Sequence, residues 1–386
     1  MREIPFGRPI LGPEEDEAVR AVMASGMLVH GPRITEFEAA FKEFTGAPHA
    51  VGLSSCTAGL HLAYFHLGLG PGDEVIVPAQ THTATAHAVE LTGARPVFVD
   101  AELDTGNIDL QALERAITEK TRAISVVHYL GMPVDMDEVV KLARDRGLFV
   151  VEDCALGLGS FYKGRHVGLW GDVGCFSFYP AKHITTAEGG MLITRHEDVA
   201  QSIRSKRAFG MDKHVGERKI PGIYDVEGLG FNYRMSEIQA AIGIQQMKRL
   251  PGFLTKRAAN HRALSAALAN VPGVRTFLSE KTGFQSSYYC HCILLEKGPS
   301  VSGLRNSMLL ALKERGIGPS VYYPHPVPRM GHYRRKYGYH EEDFVRAAEI
   351  SDCSVALPVG PHLEEGDVDR IATEIREIVG NPAERG

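Results

Sequence analysis

The chain has 386 residues, of which 44% are hydrophobic and 23% are charged, values typical of a globular protein of two or three domains. Its net charge of -5 does not indicate a nucleic-acid-binding protein, and no apolar run approaches the roughly 20 residues that cross a membrane. The first residues lack the apolar core of a signal peptide, so we expect a cytoplasmic location.

Helix and strand patterns follow one another along the first 154 residues. Two amphipathic segments, 13–26 and 33–46, each end at a glycine and predict helices. Short apolar runs then predict strands at 49–55, 73–79, 95–101, 121–129 and 148–154, separated by helical patterns at 56–70, 81–93, 109–118 and 136–147. This alternation predicts an α/β fold with a mostly parallel central sheet flanked by helices.

The pattern changes after "GGMLITR" at 189–195. Residues 232–271 predict long helical stretches interrupted at Pro251 and Gly252, followed by a strand at 288–296 and a last helix at 367–379. We therefore expect a large α/β domain over residues 1–250 and a smaller C-terminal α+β domain over 251–386. The short N-terminal segment could belong to either domain.

The six cysteines show no spacing typical of a disulfide framework. "CHC" at 290–292 could indicate zinc ligands, but it lies in a predicted strand, where consecutive side chains point to opposite faces. A structural strand is therefore the preferred interpretation, and no metal site is predicted.

Three segments that follow predicted strands carry possible chemistry. "SSCTAGL" at 54–60 begins a helix whose free N–H groups favour a phosphate, although any helix that starts with small residues shares this property. Asp153 ends an apolar strand, where it could pair with a protonated ring nitrogen, form a salt bridge or cap a helix. Lys182, in "FSFYPAKHITTAEGG", is either a solvated loop residue or a buried nucleophile suited to a Schiff base.

These three features together are the parts that pyridoxal 5'-phosphate requires. That cofactor is held by its phosphate and its ring nitrogen, and a lysine binds its aldehyde. The order along the chain, with the phosphate loop first, the aspartate second and the lysine third, is also that of the large aminotransferase-like fold. We therefore predict that the protein binds pyridoxal 5'-phosphate.

The sequence resembles the DegT/DnrJ/EryC1/StrS family, the sugar aminotransferases of fold type I, over nearly its whole length. The segments that carry the resemblance include "GLSSCTAGLHLA", "LGPGDEVIVPAQTHTATAHAV", "VEDCALGLGSFYKGRHVGLWGDVGCFSF", "KHITTAEGGMLIT" and "GFNYRMSEIQAAIGIQQMKRL". The resemblance implies that the large domain binds pyridoxal phosphate and that the protein is a transaminase.

The resemblance assigns roles to individual positions. Lys182 matches the lysine that binds the cofactor aldehyde and carries the proton during transamination. Asp153 matches the aspartate that pairs with the pyridine nitrogen. Thr57 and Ala58 match the phosphate-loop pair, and Ser177 matches a further phosphate ligand.

Two other matches and two departures concern the same site. Asn232 matches an asparagine that reaches the phosphate from the neighbouring subunit, which implies a homodimer with shared active sites. His82 stands where the family usually has an aromatic residue stacked on the cofactor ring, and its alternative is a surface loop histidine. Cys56 replaces the usual glycine of the phosphate loop, and Leu156 replaces a glutamine found in many members near the cofactor's 3-hydroxyl.

The substrate contacts depart further from the family pattern. In "VYYPHPVP" at 321–328, Tyr323 fits the family segment, but Tyr322 and Pro328 stand where histidines are usual. Tyr323 and His325 are candidate substrate contacts. His183 is either a third contact or only the residue that follows the lysine.

By family habit, the expected reaction moves an amino group from L-glutamate to a nucleotide-linked keto-deoxy sugar. "TTAEGG" at 185–190 favours amination at C4 of a 4-keto-6-deoxy sugar over amination at C3. The alternatives are a keto-cyclitol aminotransferase, a sugar dehydratase and a regulatory protein that binds the cofactor without turnover. Family dehydratases carry histidine in place of the lysine, so Lys182 favours the aminotransferase.

Overall fold

A seven-stranded sheet forms the centre of the computed structural model, which describes residues 2–212, 220, 222–296 and 301–380. In chain order the strands are β1 (His49–Leu53), β2 (Glu74–Pro78), β3 (Arg95–Val99), β4 (Thr121–Val127), β5 (Phe149–Asp153), β6 (Phe161–Tyr162), β7 (Arg165–His166), β8 (Val173–Ser177), β9 (Gly190–Thr194), β10 (Val274–Thr276), β11 (Phe284–Gln285), β12 (His291–Leu295) and β13 (Ser354–Leu357). The central sheet has the order β1-β9-β8-β5-β4-β2-β3, and only β9 runs antiparallel to its neighbours. The predicted, mostly parallel α/β sheet is confirmed.

Helices cover the central sheet and fill the C-terminal part. They are α1 (Pro13–Ser25), α2 (Pro32–Thr45), α3 (Cys56–His66), α4 (Thr83–Glu90), α5 (Leu110–Ala116), α6 (Met136–Arg146), α7 (Glu197–Lys206), α8 (Glu237–Leu268), α9 (Val301–Glu314), α10 (Gly331–Tyr337), α11 (Val345–Cys353) and α12 (Asp367–Gly380). The first two end as predicted, because Gly26 and Gly46 adopt the left-handed conformation with φ of 68° and 77°. Within the described ranges, no helix is both long and apolar enough to cross a membrane.

The long helix α8 contradicts the predicted interruption at Pro251. It runs without a break for 32 residues and contains Pro251 on its exposed side. Leu250 is buried against the central sheet's helices, and Leu264 is buried against the small C-terminal sheet. Burying each leucine contributes about 1.5–3 kcal/mol, which offsets the roughly 3 kcal/mol that an internal proline costs.

The C-terminal part has its own sheet and its own apolar core. The sheet order is β10-β12-β13, all antiparallel, and α9, α12 and the end of α8 contribute to the core beside it. Ile4 also lies in this core, and its amide donates to the carbonyl of Gly316 at 2.8 Å. The N-terminal segment therefore packs with the C-terminal part here, while the division of the chain at residue 250 stays a prediction.

The "CHC" segment lies in this small sheet. Cys290 precedes β12, and His291 and Cys292 begin it, all three buried. The strand interpretation is confirmed, since consecutive side chains of β12 point to opposite faces.

Candidate active site

The carboxyl ends of the central strands open into a cavity of about 380 Å³. Residues from both parts of the chain line it, namely Ser55, Cys56, Thr57, Leu60, His82, Ala84, Val127, Asp153, Ala155, Leu156, Ser177, Tyr179, Ala181, Lys182, Glu188, Tyr289, Tyr322 and Tyr323. Ligands of open α/β sheets bind at this edge. A larger and more open groove beside α8 contains none of the predicted site residues, so the smaller cavity is the candidate site.

Asp153 is a buried carboxylate on the cavity wall, at the end of β5. Its Oδ2 accepts a hydrogen bond from Thr85 Oγ1 at 2.8 Å, and its Oδ1 accepts one from the amide of Ala155 at 3.0 Å. No ion pair among the described residues includes Asp153, so nothing in this part of the chain supports the salt-bridge alternative. A buried carboxylate without a cation is costly, and a cationic ligand in the cavity would balance its charge.

Lys182 is half-buried, and its amine faces the cavity rather than bulk solvent. Nζ lies 5.3 Å from the centre of the Tyr289 ring. Burial lowers the pKa of Lys182, although the neighbouring Cys56, Asp153 and Cys290 act in the opposite direction. A lowered pKa increases the fraction of free amine, which is the form that attacks a carbonyl carbon.

The segment predicted to form a phosphate cradle is the start of α3. Ser55 is the N-cap of this helix, and its Oγ accepts from the amide of Ala58 at 3.0 Å. The amides of Cys56 and Thr57 belong to the first turn, where no carbonyl of the helix can accept them. They are therefore available to bind an anion beside Thr57, which lines the cavity. The amide of Ala58 already donates to Ser55, and Ala58 does not line the cavity.

Ser177 lies at the end of β8 and lines the same cavity. Its Oγ accepts from the amide of Tyr179 at 3.4 Å and keeps its own proton free to donate. Cys56 and Leu156, the two departures from the family pattern, also line the cavity. Burial raises the pKa of the Cys56 thiol well above its usual value, so this side chain is a neutral part of the wall.

The remaining predicted residues divide into two groups. His82 and Tyr323 line the cavity, with ring centres 5.8 Å apart, and His82 Nδ1 also accepts from the Ala84 amide at the start of α4. Asn232 and His325 are exposed and do not line the cavity of their own chain. His183 is buried behind the wall against Tyr289, with ring centres 5.6 Å apart, and does not line the cavity.

Burial and the nearby cation of Arg257 keep the pKa of His183 well below its usual value. The imidazole is therefore neutral and part of the interior. The roles assigned to His183, His325 and Asn232 stay predictions.

A second cluster, next to Asp153, has a structural explanation. His128, Glu152 and Cys154 form the one group in the described ranges whose side chains could together hold a metal ion. Glu152, however, already accepts from His128 Nε2 at 2.9 Å and from the amides of Gly168 and Gly171 at 2.7 and 2.6 Å. The carboxylate thus anchors the segment before β8 to β5.

Sequence reasoning missed four residues of the site. Ser55 and Thr85 carry a signal that the sequence shows. Ser55 directly precedes the start of a helix. Thr85 follows Thr81 by about one helical turn, and the structure places the hydroxyls of Thr81 and Thr85 2.7 Å apart. Tyr322 also carries a signal, because it precedes the predicted contact Tyr323 in the segment 321–328. Tyr289 carries no such local signal, because it reaches the cavity from a distant part of the chain.

Comparisons with known proteins agree with this geometry. The profile of the DegT/DnrJ/EryC1/StrS aminotransferase family matches residues 9–376. The spore coat polysaccharide biosynthesis protein SpsC of Bacillus subtilis is 38% identical over 381 residues, which cover 97% of each chain.

Solved structures of aminotransferases superimpose on nearly all of the chain. DesV of S. venezuelae, solved with a ketimine intermediate, has a TM-score of 0.89 at 33% identity, covering 99% of this chain and 100% of that chain. PseC of Helicobacter pylori, an aminotransferase involved in the biosynthesis of pseudoaminic acid, has a TM-score of 0.91 at 29% identity, covering 98% and 100%. With Lys182, Asp153 and the first turn of α3 on one cavity, the protein belongs to the DegT/DnrJ/EryC1/StrS family of aminotransferases that depend on pyridoxal 5'-phosphate.

Proposed function

We propose that this enzyme transfers the amino group of L-glutamate to the keto group of a nucleotide-linked keto-deoxy sugar, at C4 of a 4-keto-6-deoxy sugar. The observation that carries the proposal is the placement of Lys182 in one cavity with Asp153 and the first turn of α3. The polysaccharide role named for SpsC and the pseudoaminic acid role named for PseC support a sugar as the acceptor.

The residues present fit the cofactor. Asp153, which has no cationic partner in the described part of the chain, would hold the protonated ring nitrogen. The first-turn amides of α3 and the hydroxyl of Ser177 would hold the phosphate. When bound, the cofactor supplies an electron sink for the negative charge that develops at the reacting carbon.

Lys182 moves the protons of the reaction. Its Nζ, with a pKa lowered by burial, takes the proton from the α-carbon of L-glutamate. In the second half-reaction it delivers a proton to the sugar carbon that receives the amino group. Glutamate thereby becomes 2-oxoglutarate, and the keto carbon of the sugar becomes an amine-bearing carbon.

The assembly that we propose is a homodimer with shared active sites. Asn232 is exposed and lies outside the cavity of its own chain, as a residue that serves a partner's site would. Nearby, Phe209 and Leu229 are large apolar side chains exposed by 41% and 69%. A second copy of the chain would cover this apolar surface.

We also propose that the enzyme acts in the cytoplasm. All six cysteines are buried and none forms a disulfide, as is usual where thiols are kept reduced.

The test begins with the visible absorption of the purified enzyme loaded with cofactor. We expect an absorption band of the lysine-bound cofactor that is lost in Lys182→Ala and retained in Lys141→Ala, an exposed lysine on α6. L-glutamate is then added with UDP-, GDP- and dTDP-linked 4-keto and 3-keto sugars, and 2-oxoglutarate is measured. The wild type should form it with a 4-keto sugar, and Lys182→Ala should lose at least about 100-fold in rate.

Other outcomes of this test would contradict the site assignment or favour one of the alternative functions. The absence of the band in the wild type would contradict the site assignment. A band without transfer to any keto sugar would favour a keto-cyclitol acceptor or a regulatory protein, and release of a sugar hydroxyl without amination would indicate a dehydratase.

A further inference from the structure

Two tyrosines form a hydroxyl pair on the wall of the candidate site. Tyr289 and Tyr322 both line the cavity, and their hydroxyl oxygens lie 2.6 Å apart. The Tyr289 ring is also the one over which the amine of Lys182 lies, at 5.3 Å. The pair therefore belongs to the same wall as the reacting nitrogen.

Both tyrosines are held firmly in place. The carbonyl of Tyr322 accepts from Gln80 Nε2 at 2.9 Å and from the hydroxyl of Tyr129. The Tyr322 ring stacks on Phe6, with centres 5.7 Å apart, and the carbonyl of Tyr289 accepts from the guanidinium of Arg257 at 2.8 Å. A pair fixed in this way needs little rearrangement to bind a ligand.

The pair has unused hydrogen-bonding capacity. Two phenols carry two protons, and the bond between them uses one, so one O–H has no acceptor among the described residues. Each oxygen also keeps a lone pair. Burial raises the pKa of both tyrosines far above the usual value, so the hydroxyls stay neutral.

This chemistry fits a neutral oxygen better than a carboxylate. Carboxylates are bound most strongly by cations, whereas a sugar hydroxyl both donates and accepts, as the tyrosine pair does. We infer that the Tyr289–Tyr322 pair binds a ring hydroxyl of the sugar acceptor and thereby helps to select it. This inference rests on the proposed function, and it makes Tyr289 and Tyr322 residues that determine specificity for the sugar. Position 322 is also one where the resemblance leads us to expect histidine, so the pair would distinguish this enzyme from other members.

The test uses the cofactor-loaded enzyme and the variants Tyr289→Phe, Tyr322→Phe and the double variant. Tyr162→Phe is the matched control, because its hydroxyl bonds Asp135 outside the cavity. For each variant, three quantities are measured and compared with the wild type. They are KM for the keto sugar, the rate of a single turnover with L-glutamate, and the affinity for the cofactor. A sugar lacking one ring hydroxyl serves as a second substrate.

The double variant should raise KM for the sugar about three- to tenfold, the usual effect of losing one neutral hydrogen bond. The single variants should have smaller effects, since one phenol keeps an O–H group. The glutamate turnover and the cofactor affinity should stay within about twofold of the wild type, and removing the matching hydroxyl from the sugar should erase the difference in KM.

Four outcomes would overturn the inference. An unchanged KM for the sugar in the double variant would show that the pair does not contact the sugar. An equal loss of rate in both half-reactions would indicate that the pair has only a structural role. A changed cofactor affinity would assign the pair to the cofactor instead. A wild type that transfers amino groups to no keto sugar would refute the proposed function together with this inference, whereas normal wild-type turnover with an unaffected double variant would refute this inference alone.

Discussion

Asp153 shows how a single side chain depends on its immediate neighbours. Its carboxylate is buried, yet the described residues give it one hydroxyl, one amide and, at 4.0 Å, the Cys56 thiol as partners, and no ion pair. Hydrogen bonds of this kind orient a carboxylate but leave most of its charge unbalanced. The residue is therefore prepared for a cationic ligand, and its charge should matter more than its shape.

We predict that Asp153→Asn lowers kcat by about 100-fold, because an amide cannot stabilise a protonated ring nitrogen. Thr85→Val should lower kcat by about tenfold, since it removes only the hydroxyl that orients the carboxylate. Steady-state 2-oxoglutarate formation measures both. Asp145→Asn, an exposed carboxylate on α6, is the control.

A second measurement, thermal unfolding, tests whether Asp153→Asn is still folded. Thermal unfolding should change little in Asp153→Asn, because the Ala155 amide can still donate to the side-chain oxygen. If Asp153→Asn kept more than half of the wild-type turnover, the pairing of Asp153 with the ring nitrogen would be wrong. If Thr85→Val lost as much activity as Asp153→Asn, Thr85 would be more than an orienting group.

Between elements, β9 approaches the start of α3 closely in the site. A Cβ atom added at Gly190 would lie 2.3 Å from the carbonyl carbon of Ser55 and 2.5 Å from the nitrogen of Cys56. Only glycine lets the strand and the phosphate cradle meet in this way. The position of the first turn of α3 therefore depends on Gly190, which has no side chain.

Gly190→Ala should weaken cofactor binding by at least about tenfold, because the added methyl group displaces the first turn of α3, whose amides would hold the phosphate. Titration of the apoenzyme with pyridoxal phosphate, followed by absorbance, gives the Kd. Gly252→Ala is the matched control, since Gly252 is an exposed position of α8 where an added Cβ meets no atom within 4 Å. An unchanged Kd in Gly190→Ala would mean that the cradle tolerates movement or does not bind phosphate.

The elements also show what local sequence patterns can predict. The alternation of strands and helices was predicted correctly, because each strand is a short apolar run and each helix has its own end signals. Helix α8 was predicted wrongly at Pro251, because a local rule about proline does not include the burial of Leu250 and Leu264 in two different cores. Tertiary packing outweighed the local preference there.

At the scale of the whole molecule, the active site combines distant parts of the chain. Asp153 could be predicted because it ends a strand of the central sheet, and Lys182 because the segment around it resembles a family motif. Tyr289 could not, because it approaches the cavity from the C-terminal part and no spacing along the chain reports that approach. Tyr322 was noted only as a departure from the family pattern, beside the predicted contact Tyr323. The role proposed for the exposed Asn232 adds a further level, since this residue would complete the site of a second chain.

The last prediction tests that second chain directly. Chains carrying Lys182→Ala and chains carrying Asn232→Ala are co-expressed with different tags, and the heterodimer is purified. If Asn232 serves the partner's site, one site of the heterodimer has both residues intact and the other has neither. At limiting cofactor, the heterodimer should therefore show about half of the wild-type turnover per dimer, well above both homodimeric variants. A heterodimer no more active than the Asn232→Ala homodimer would place Asn232 in its own chain's site, and a monomeric wild type in sedimentation would contradict the shared site altogether.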